Sequence, residues 1–465
     1  MGKQNHNGLH DTKLRKSFKG GLYYMWFKEF IRLLFNHFLY KKVYYIGTDK
    51  ILPDGKAQVI VSDHQNCLVD AIAVMLSFKG PGRRPFFWAR ADIFAVNKLL
   101  EKYLRFLGLM PAFRMDHEGL EDVGKNTASF EESYHLLLNG QSVMIFPEAG
   151  HQDKRYLGHF TTGYTTMAFT TAQEGNWEKE IFILPVANHY TDYFGIRREM
   201  CVMFSEPISL KPYYELYKEK PRTAMREVNL LVRKVVSSMM LDIQDLDNYN
   251  SIDFLRTNYG KTFALLKKMP YKILPEKLEA EKAFVAALDS LEEDKKSEVY
   301  SFASSIREKL EDFKLSFKSV SKKVAWPITI LKILAMIVLL PVWVFSLWPN
   351  WLLYNIPKKL TNRVKDKMLS SSFLLGLSAV ITIPLFTIIS FVIVWCVLTI
   401  YMAIAYVLLM PVLALFCWYY TEWWEGIKQD MRLLRFRKKL KITKFDTLKQ
   451  DIEKLEDRLW ALFKI

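Results

Sequence analysis

Residues 62–76 read "SDHQNCLVDAIAVML" and set one histidine, His64, and two aspartates, Asp63 and Asp70, against the start of an apolar helical run. His64 and Asp70 are six steps apart, and on one continuous helix six steps leave two side chains about 240° apart, facing away from each other. They meet only if a turn intervenes. "HQN" suits a turn, with Asn66 as N-cap of a helix that begins near Cys67 and His64 at the end of a strand, "QVIVS". From the first helical turn Asp70 then reaches back to one ring nitrogen and fixes the tautomer, so that the other nitrogen takes a proton. This is the histidine–carboxylate half of a nucleophilic triad, with a substrate hydroxyl as the nucleophile. Asp63 is the local rival of Asp70, but neighbouring side chains on a strand point to opposite faces, which turns it away from His64. The spacing alone also fits a structural histidine, so the rest of the chain has to decide.

Around this stretch, residues 43–215 alternate short β-branched or aromatic runs with helical ones. "VYYIG", "QVIVS", "PFFWAR", "SVMIF", "IFILPV" and "MCVMF" read as strands, separated for the most part by helices near 68–78, 96–107, 126–138 and 163–173. Alternation of this kind predicts an α/β domain with a mainly parallel sheet, whose ligands gather at the carboxyl ends of strands. "SDHQN" and "PEAGH" both fall there.

The whole chain is 465 residues, more than one hydrophobic core accommodates. Half of it is hydrophobic, and Lys+Arg exceed Asp+Glu by 65 to 49. A greasy, basic chain points to anionic membranes and phosphorylated substrates. Nucleic acid is not expected as a partner, since the zinc spacing, basic zipper and aromatic RNA-binding signatures are missing. Four scattered cysteines argue against a disulfide framework, and without H-E-x-x-H or paired cysteines no metal site is expected. The polar first 20 residues do not read as a secretory signal, and His6 stands where a myristoylation motif has Ser or Thr.

Five regions follow. Residues 1–45 are a polar N-terminus and an amphipathic helix in which Lys28, Glu29, Arg32 and Asn36 share a side opposite Trp26, Phe27, Phe30, Ile31, Leu34, Phe35 and Phe38. That helix reads either as lying in a membrane interface or as packed on its own domain. Residues 46–215 are the α/β domain, and 216–324 a charged helical insert without visible chemistry. Residues 325–420 form the membrane region. Its first block, 325–356, has Lys332 as its one charge and contains Pro327, Pro341 and Pro349; its second, 370–420, has no charge and is long enough for two crossings. Lys and Arg flank both blocks. If all flanks are cytoplasmic, the second block is a two-span hairpin and the first a re-entrant segment broken near Pro341; the competing reading runs the first block straight across. Residues 421–465 are basic, then amphipathic with Leu448, Ile452, Leu455, Leu459 and Leu462 at helical spacing, which suits either anionic lipid or a coiled-coil contact.

The block "HQNCLVD" with His64 and Asp70 is followed in order by "GLMPAFR" with Gly108 and Arg114, "FPEAGHQ" with Phe146, Pro147, Glu148 and Gly150, and "ILPVA" with Pro185. Together these resemble the glycerolipid acyltransferase superfamily, which includes lysophosphatidic acid and glycerol-3-phosphate acyltransferases; the likeness covers about residues 45–210. It implies a membrane-bound O-acyltransferase of phospholipid biosynthesis, with no bound cofactor and acyl-CoA or acyl carrier protein as thioester co-substrate. The partners implied are membrane lipids and a phosphorylated glycerol acceptor, with the catalytic domain on the cytoplasmic face. His64 would be the base and Asp70 its orienter. Arg114 would hold the acceptor phosphate, and Phe146, Pro147, Glu148 and Gly150 would shape the acceptor pocket, Glu148 meeting a glycerol hydroxyl or Arg114. His151, Lys154 and Arg155 would add contacts or simply be a solvated loop. Two departures stand out: five residues instead of four separate His64 from Asp70, and Ala149 replaces the usual Gly, leaving Gly150 to supply the tight turn. Acylation of another lysophospholipid or an amino-acid lipid, or a non-catalytic lipid-binding scaffold, are the alternatives.

Overall fold

The computed structural model describes residues 21–80, 83–95, 98–112, 126–148, 150, 154–194, 197–321, 324–361, 381–439 and 442–463. The chain divides into two compact units, at Asp242/Ile243. In chain order the first contains α1 (Leu22–Leu33), β1 (Tyr40–Ile46), β2 (Ala57–Ser62), α2 (Cys67–Ser77), β3 (Phe86–Arg90), α3 (Lys98–Phe106) and β4 (Leu109–Ala112). It continues with α4 (Asn126–Leu138), β5 (Ser142–Ile145), α5 (Gly163–Glu174), β6 (Ile181–Tyr190), β7 (Arg198–Phe204), β8 (Ile208–Ser209), a short helix over Tyr214–Glu219 and α6 (Pro221–Met239).

The strands form one sheet in the order β1-β7-β6-β2-β5-β3-β4, with β8 beside β6. Pairing is parallel except between β6 and β7 and between β6 and β8. Central β2 is apolar apart from Gln58 and Ser62 and buried at every position, as a strand covered on both faces must be. Each of the six expected strands is present. The sequence reading missed β4, because four residues containing Pro111 give too short a pattern; at the sheet edge a proline costs no ladder bond. Interior Pro185 is tolerated for a different reason. It falls between the β6 residues paired to β8 and those paired to β7, and its carbonyl accepts the Ser205 N–H at 3.0 Å.

The expected boundary at 215/216 does not match the division at Asp242. Helix α6 buries Ala224, Val228, Val232 and Val236 and packs on β6 and α5, so it belongs to the α/β unit. Helix α1 is likewise part of this unit and packs on it with one face. Tyr24, Lys28 and Ile31 turn inward, while Leu22, Tyr23, Trp26 and Leu33 are 60–70% exposed. Lys28, expected on a solvated face, is buried with its amine donating to the carbonyls of Phe78 (2.6 Å) and Arg83 (2.9 Å), and Arg32 donates to Leu76 O at 3.2 Å. Cations at the carboxyl end of α2 satisfy its last carbonyls and its dipole, and so fix the face that α1 presents outward.

The second unit contains α7 (Tyr249–Leu266), α8 (Leu274–Asp289), α9 (Glu293–Asp312), α10 (Trp326–Thr361), α11 (Ile383–Val397), α12 (Ile400–Lys439) and α13 (Ile442–Leu462). Leu448, Ile452, Leu455 and Leu459 of α13 are buried, and Asp451 pairs with Lys309 of α9 at 2.8 Å. The C-terminal amphipathic stripe thus packs on its own unit. Helices α10 and α12 each contain a stretch long and apolar enough to cross a membrane, Trp326–Leu347 and Ile400–Arg437. The preferred re-entrant form, broken near Pro341, is not what the chain adopts: α10 is continuous through that residue for 36 residues, about 54 Å at an α-helical rise. Neighbouring helices and local adjustments absorb the lost proline bond in such helices. In the described part of the second block α11 turns into α12 at Leu398 and Thr399, and α11, at 15 residues, is shorter than a spanning helix. Antiparallel α10 and α12 are joined by Lys332–Asp430 at 2.7 Å, by Tyr420 donating to Met336 O at 2.9 Å, and by Trp343 stacked on Tyr420.

Two outcomes follow. Asp430 is buried, so Lys332→Met leaves a charge without its partner and should destabilise the helix pair by ~1–3 kcal/mol. The double variant Lys332→Met/Asp430→Leu should recover most of that in detergent unfolding; no recovery would show that the pair is not what matters. Burial, followed by the Arg32 charge, pushes the Lys28 amine down to about 8. Between there and the ordinary lysine value the unfolded chain binds more protons than the folded one, so folding stability rises with pH across that window. Urea unfolding at pH 7.5 and pH 10 should show wild type gaining on Lys28→Met; a constant gap contradicts this.

Candidate active site

Parallel register builds the site. Val61 of β2 pairs with Ile145 of β5 and Pro185 of β6, so His64 and Glu148 each emerge three residues past a matched pair while β6 runs on beside them to Tyr190. His64 and Asp70 are brought together, Nδ1 lying 3.1 Å from Asp70 Oδ2. Their six-step separation is resolved at Cys67, the first residue of α2, which is buried with φ +45°. A non-glycine residue in the left-handed region is uncommon and costs about 1–2 kcal/mol. Here it marks the turn that keeps the pair off one regular helix.

Asp70 is fully buried and His64 is 16% exposed. Besides His64, Asp70 accepts the Asn66 backbone N–H on Oδ2 at 2.7 Å and the Tyr190 hydroxyl on Oδ1. Asn66 occupies the N-cap position, but its side chain caps nothing and instead donates to Tyr193 O at 3.0 Å. The cap therefore works in reverse, with the helix carboxylate holding the N-cap amide, as in half of a capping box. Phe146 stacks on the imidazole with ring centroids 4.2 Å apart.

Glu148 is tied to the backbone on both sides of the site. Oε1 accepts the His64 backbone N–H at 2.7 Å and Oε2 the Gly158 N–H at 2.8 Å, so the carboxylate ties the histidine to the following loop. Pro147 O accepts both the N–H and the hydroxyl of Thr161, at 2.9 and 3.0 Å. From α6, Arg233 donates to the carbonyls of Leu157 and Gly158, and Asn229 to Phe160 O. The region read as lacking chemistry thus supplies the helix that fastens this loop. Gly150 is exposed and a Cβ there would meet nothing within 4 Å, and the chain turns just before it at Pro147 and Glu148. Arg114, Ala149 and His151 lie outside the described residues. Arg155 is buried rather than solvated, donating to the carbonyls of Tyr190 (2.9 Å) and Thr191 (3.3 Å).

Asp63 points away from His64, as its alternation on the strand requires. Its Oδ1 accepts the Asn188 N–H at 2.8 Å and the Asn188 side-chain amide at 3.1 Å. Burial, then the charges of Asp70 and Glu148, push its carboxyl well above the ordinary range. Burial also raises Glu148, against the opposing pull of its two backbone amides and His64. Among the described residues no group of three or more His, Cys, Asp and Glu side chains is placed to hold a metal ion. Sequence reading missed Tyr190, Asn188 and Arg233, each more than 100 residues from His64; the one available signal for Tyr190 was a strand four residues longer than its apolar run.

Glu148→Gln keeps the shape but sets an amide N–H₂ against a backbone N–H. Thermal unfolding should show a loss of about 1–3 kcal/mol. An unchanged midpoint would mean that the tie is not made.

Residues 42–189 match the family model described as Acyltransferase. Glycerol-3-phosphate O-acyltransferase 2 of Saccharomyces cerevisiae is 27% identical over 128 residues, 27% of this chain and 17% of that one. The chain thus spans less than a fifth of the length of that curated relative. Among solved structures, the 1-acyl-sn-glycerophosphate (LPA) acyltransferase PlsC from Thermotoga maritima is 20% identical, covering 45% of this chain and 78% of that one with a TM-score of 0.31.

Proposed function

We propose, for a chain whose residues 42–189 match the family model described as Acyltransferase, a membrane-bound enzyme of the glycerolipid acyltransferase kind that moves a fatty acyl group from a thioester to the hydroxyl of a glycerol phosphate. The observation that carries this reading is the His64 Nδ1–Asp70 contact at the carboxyl edge of the sheet. Asp70 accepts from Nδ1–H, so His64 works through Nε2. That nitrogen takes the proton of the acceptor hydroxyl as its oxygen attacks the thioester carbonyl carbon. The C–S bond then breaks, and the proton passes to the departing sulfur, giving an ester and a free thiol. Phe146 keeps the imidazole in plane and Glu148 holds its backbone. By resemblance Arg114 receives the acceptor phosphate, for which a planar guanidinium is suited. Acyl-CoA or acyl carrier protein is the donor, and glycerol 3-phosphate or lysophosphatidic acid the acceptor.

Lipid substrates fit a chain with two apolar helices long enough to span, and the outward stripe of α1 gives the α/β unit its own apolar contact with the bilayer. Lys314 and Lys318 before α10 and Arg432 and Arg435 within α12 favour the cytoplasmic face for the segments that carry them.

Purified protein in detergent should release thiol from acyl-CoA or acyl carrier protein only when glycerol 3-phosphate or lysophosphatidic acid is present. His64→Ala should lower that rate by roughly 10²–10⁴-fold while vesicle insertion is unchanged. Retained activity in the variant overturns the mechanism.

A further inference from the structure

Asp70 has a third donor that the proposed mechanism does not use. Tyr190 is wholly buried at the end of β6, and its hydroxyl donates to Asp70 Oδ1, the oxygen that His64 does not touch. The strand end carrying it is held twice, by Arg155 on the Tyr190 carbonyl and by the antiparallel pairing of Tyr190 with Met200. The phenol is therefore fixed from behind, independently of any substrate. Burial, then the Asp70 charge, raise it well above the ordinary tyrosine range, so it stays a donor at any working pH.

We propose that Tyr190 is a positioning residue of the acyl-transfer site: its hydroxyl pins Asp70 and draws off part of the negative charge that Asp70 presents to His64. This rests on the His64–Asp70 reading above. Without the hydroxyl, Asp70 keeps more charge facing the imidazole and swings more freely about the Asn66 amide. The protonated ring is then favoured to higher pH and the base is less well aimed. Other charged or titratable groups face this cluster from each packed element: Asp63 at the end of β2, Glu148 beyond β5, Tyr40 on β1, and Arg155 and His189 beside Tyr190. All remain in a Tyr190→Phe protein, so the comparison isolates one hydroxyl.

The test uses full-length wild type and Tyr190→Phe in detergent, with two measurements. The first is the pH dependence of His64 modification by diethyl pyrocarbonate, with His64→Ala subtracting the other histidines. The second is steady-state thiol release. The modification midpoint should move to higher pH in Tyr190→Phe, kcat should fall about tenfold with KM unchanged, and the acid limb of kcat/KM should move with the midpoint. Tyr193→Phe, whose hydroxyl donates to Gln65, should leave the midpoint in place. An unmoved midpoint in Tyr190→Phe, or an equal shift in both tyrosine variants, overturns the proposal whether or not the protein transfers acyl groups. Absence of thiol release from wild type, with the midpoint shift present, instead overturns the proposed function and leaves the Tyr190–Asp70–His64 coupling standing.

Discussion

A carboxylate cut off from water has to find its donors inside the protein, and Asp70 finds three: a side chain that precedes it, a backbone amide four residues back, and a phenol from a strand 120 residues away. Leaving such a group unmatched costs several kcal/mol. Each donor therefore constrains the chain that carries it. The Asn66 amide requires the turn before α2, and the imidazole requires the left-handed step at Cys67. The phenol requires β6 to run on past its apolar stretch. Glu148 repeats the logic one shell out, bridging two backbone amides whose positions depend on β2–β5 register and on α6. The candidate site is thus specified by hydrogen-bond accounting as much as by the sheet.

How much of this the sequence disclosed divides along the range of the interactions. Strands with β-branched runs and the helices between them were legible because their periodicity is local, and His64 with Asp70 was legible once a turn was invoked. Glu148 was singled out, but its ties to the amides of residues 64 and 158 were not legible, since nothing in "FPEAG" names those partners. Arg155 read as either a substrate contact or part of a solvated loop, and it is buried because two carbonyls at a strand end lie within its reach. Lys28 misled in the same way. Helical spacing placed it with Glu29 and Arg32 on a wet face, whereas the open carbonyls at the end of α2 drew it inward.

The C-terminal apolar region shows the converse. Proline positions and charge flanks led to a broken first block, yet α10 runs unbroken and the local signal lost to helix pairing. Lys332 and Asp430 are separated by 98 residues, and their pairing sets the register of α10 against α12 along with the Trp343–Tyr420 stack. The C-terminal stripe was open between lipid and coiled coil because amphipathicity records that a face will be covered and not by what. Tyr259, which donates to Ile452 O, and helix α9, which packs along α13 and pairs Lys309 with Asp451, supply the cover that the pattern could not name.

One helix joins the two halves of the proposed function within the α/β unit. Asp70 stands in the first turn of α2, and the carbonyls of Leu76 and Phe78 at its other end receive Arg32 and Lys28 of α1. Eight helical steps, about 12 Å, separate the acid that aims His64 from the anchorage of the helix whose Leu22, Trp26 and Leu33 face outward. A packed α-helix transmits position with little slack. If the outward stripe rests on lipid, the depth of that contact and the placement of the reacting edge are set by the same rigid element. An α/β sheet by itself has no means of fixing its height above a bilayer; under that condition the buried Lys28 and the part-exposed Arg32 at a helix terminus would provide one.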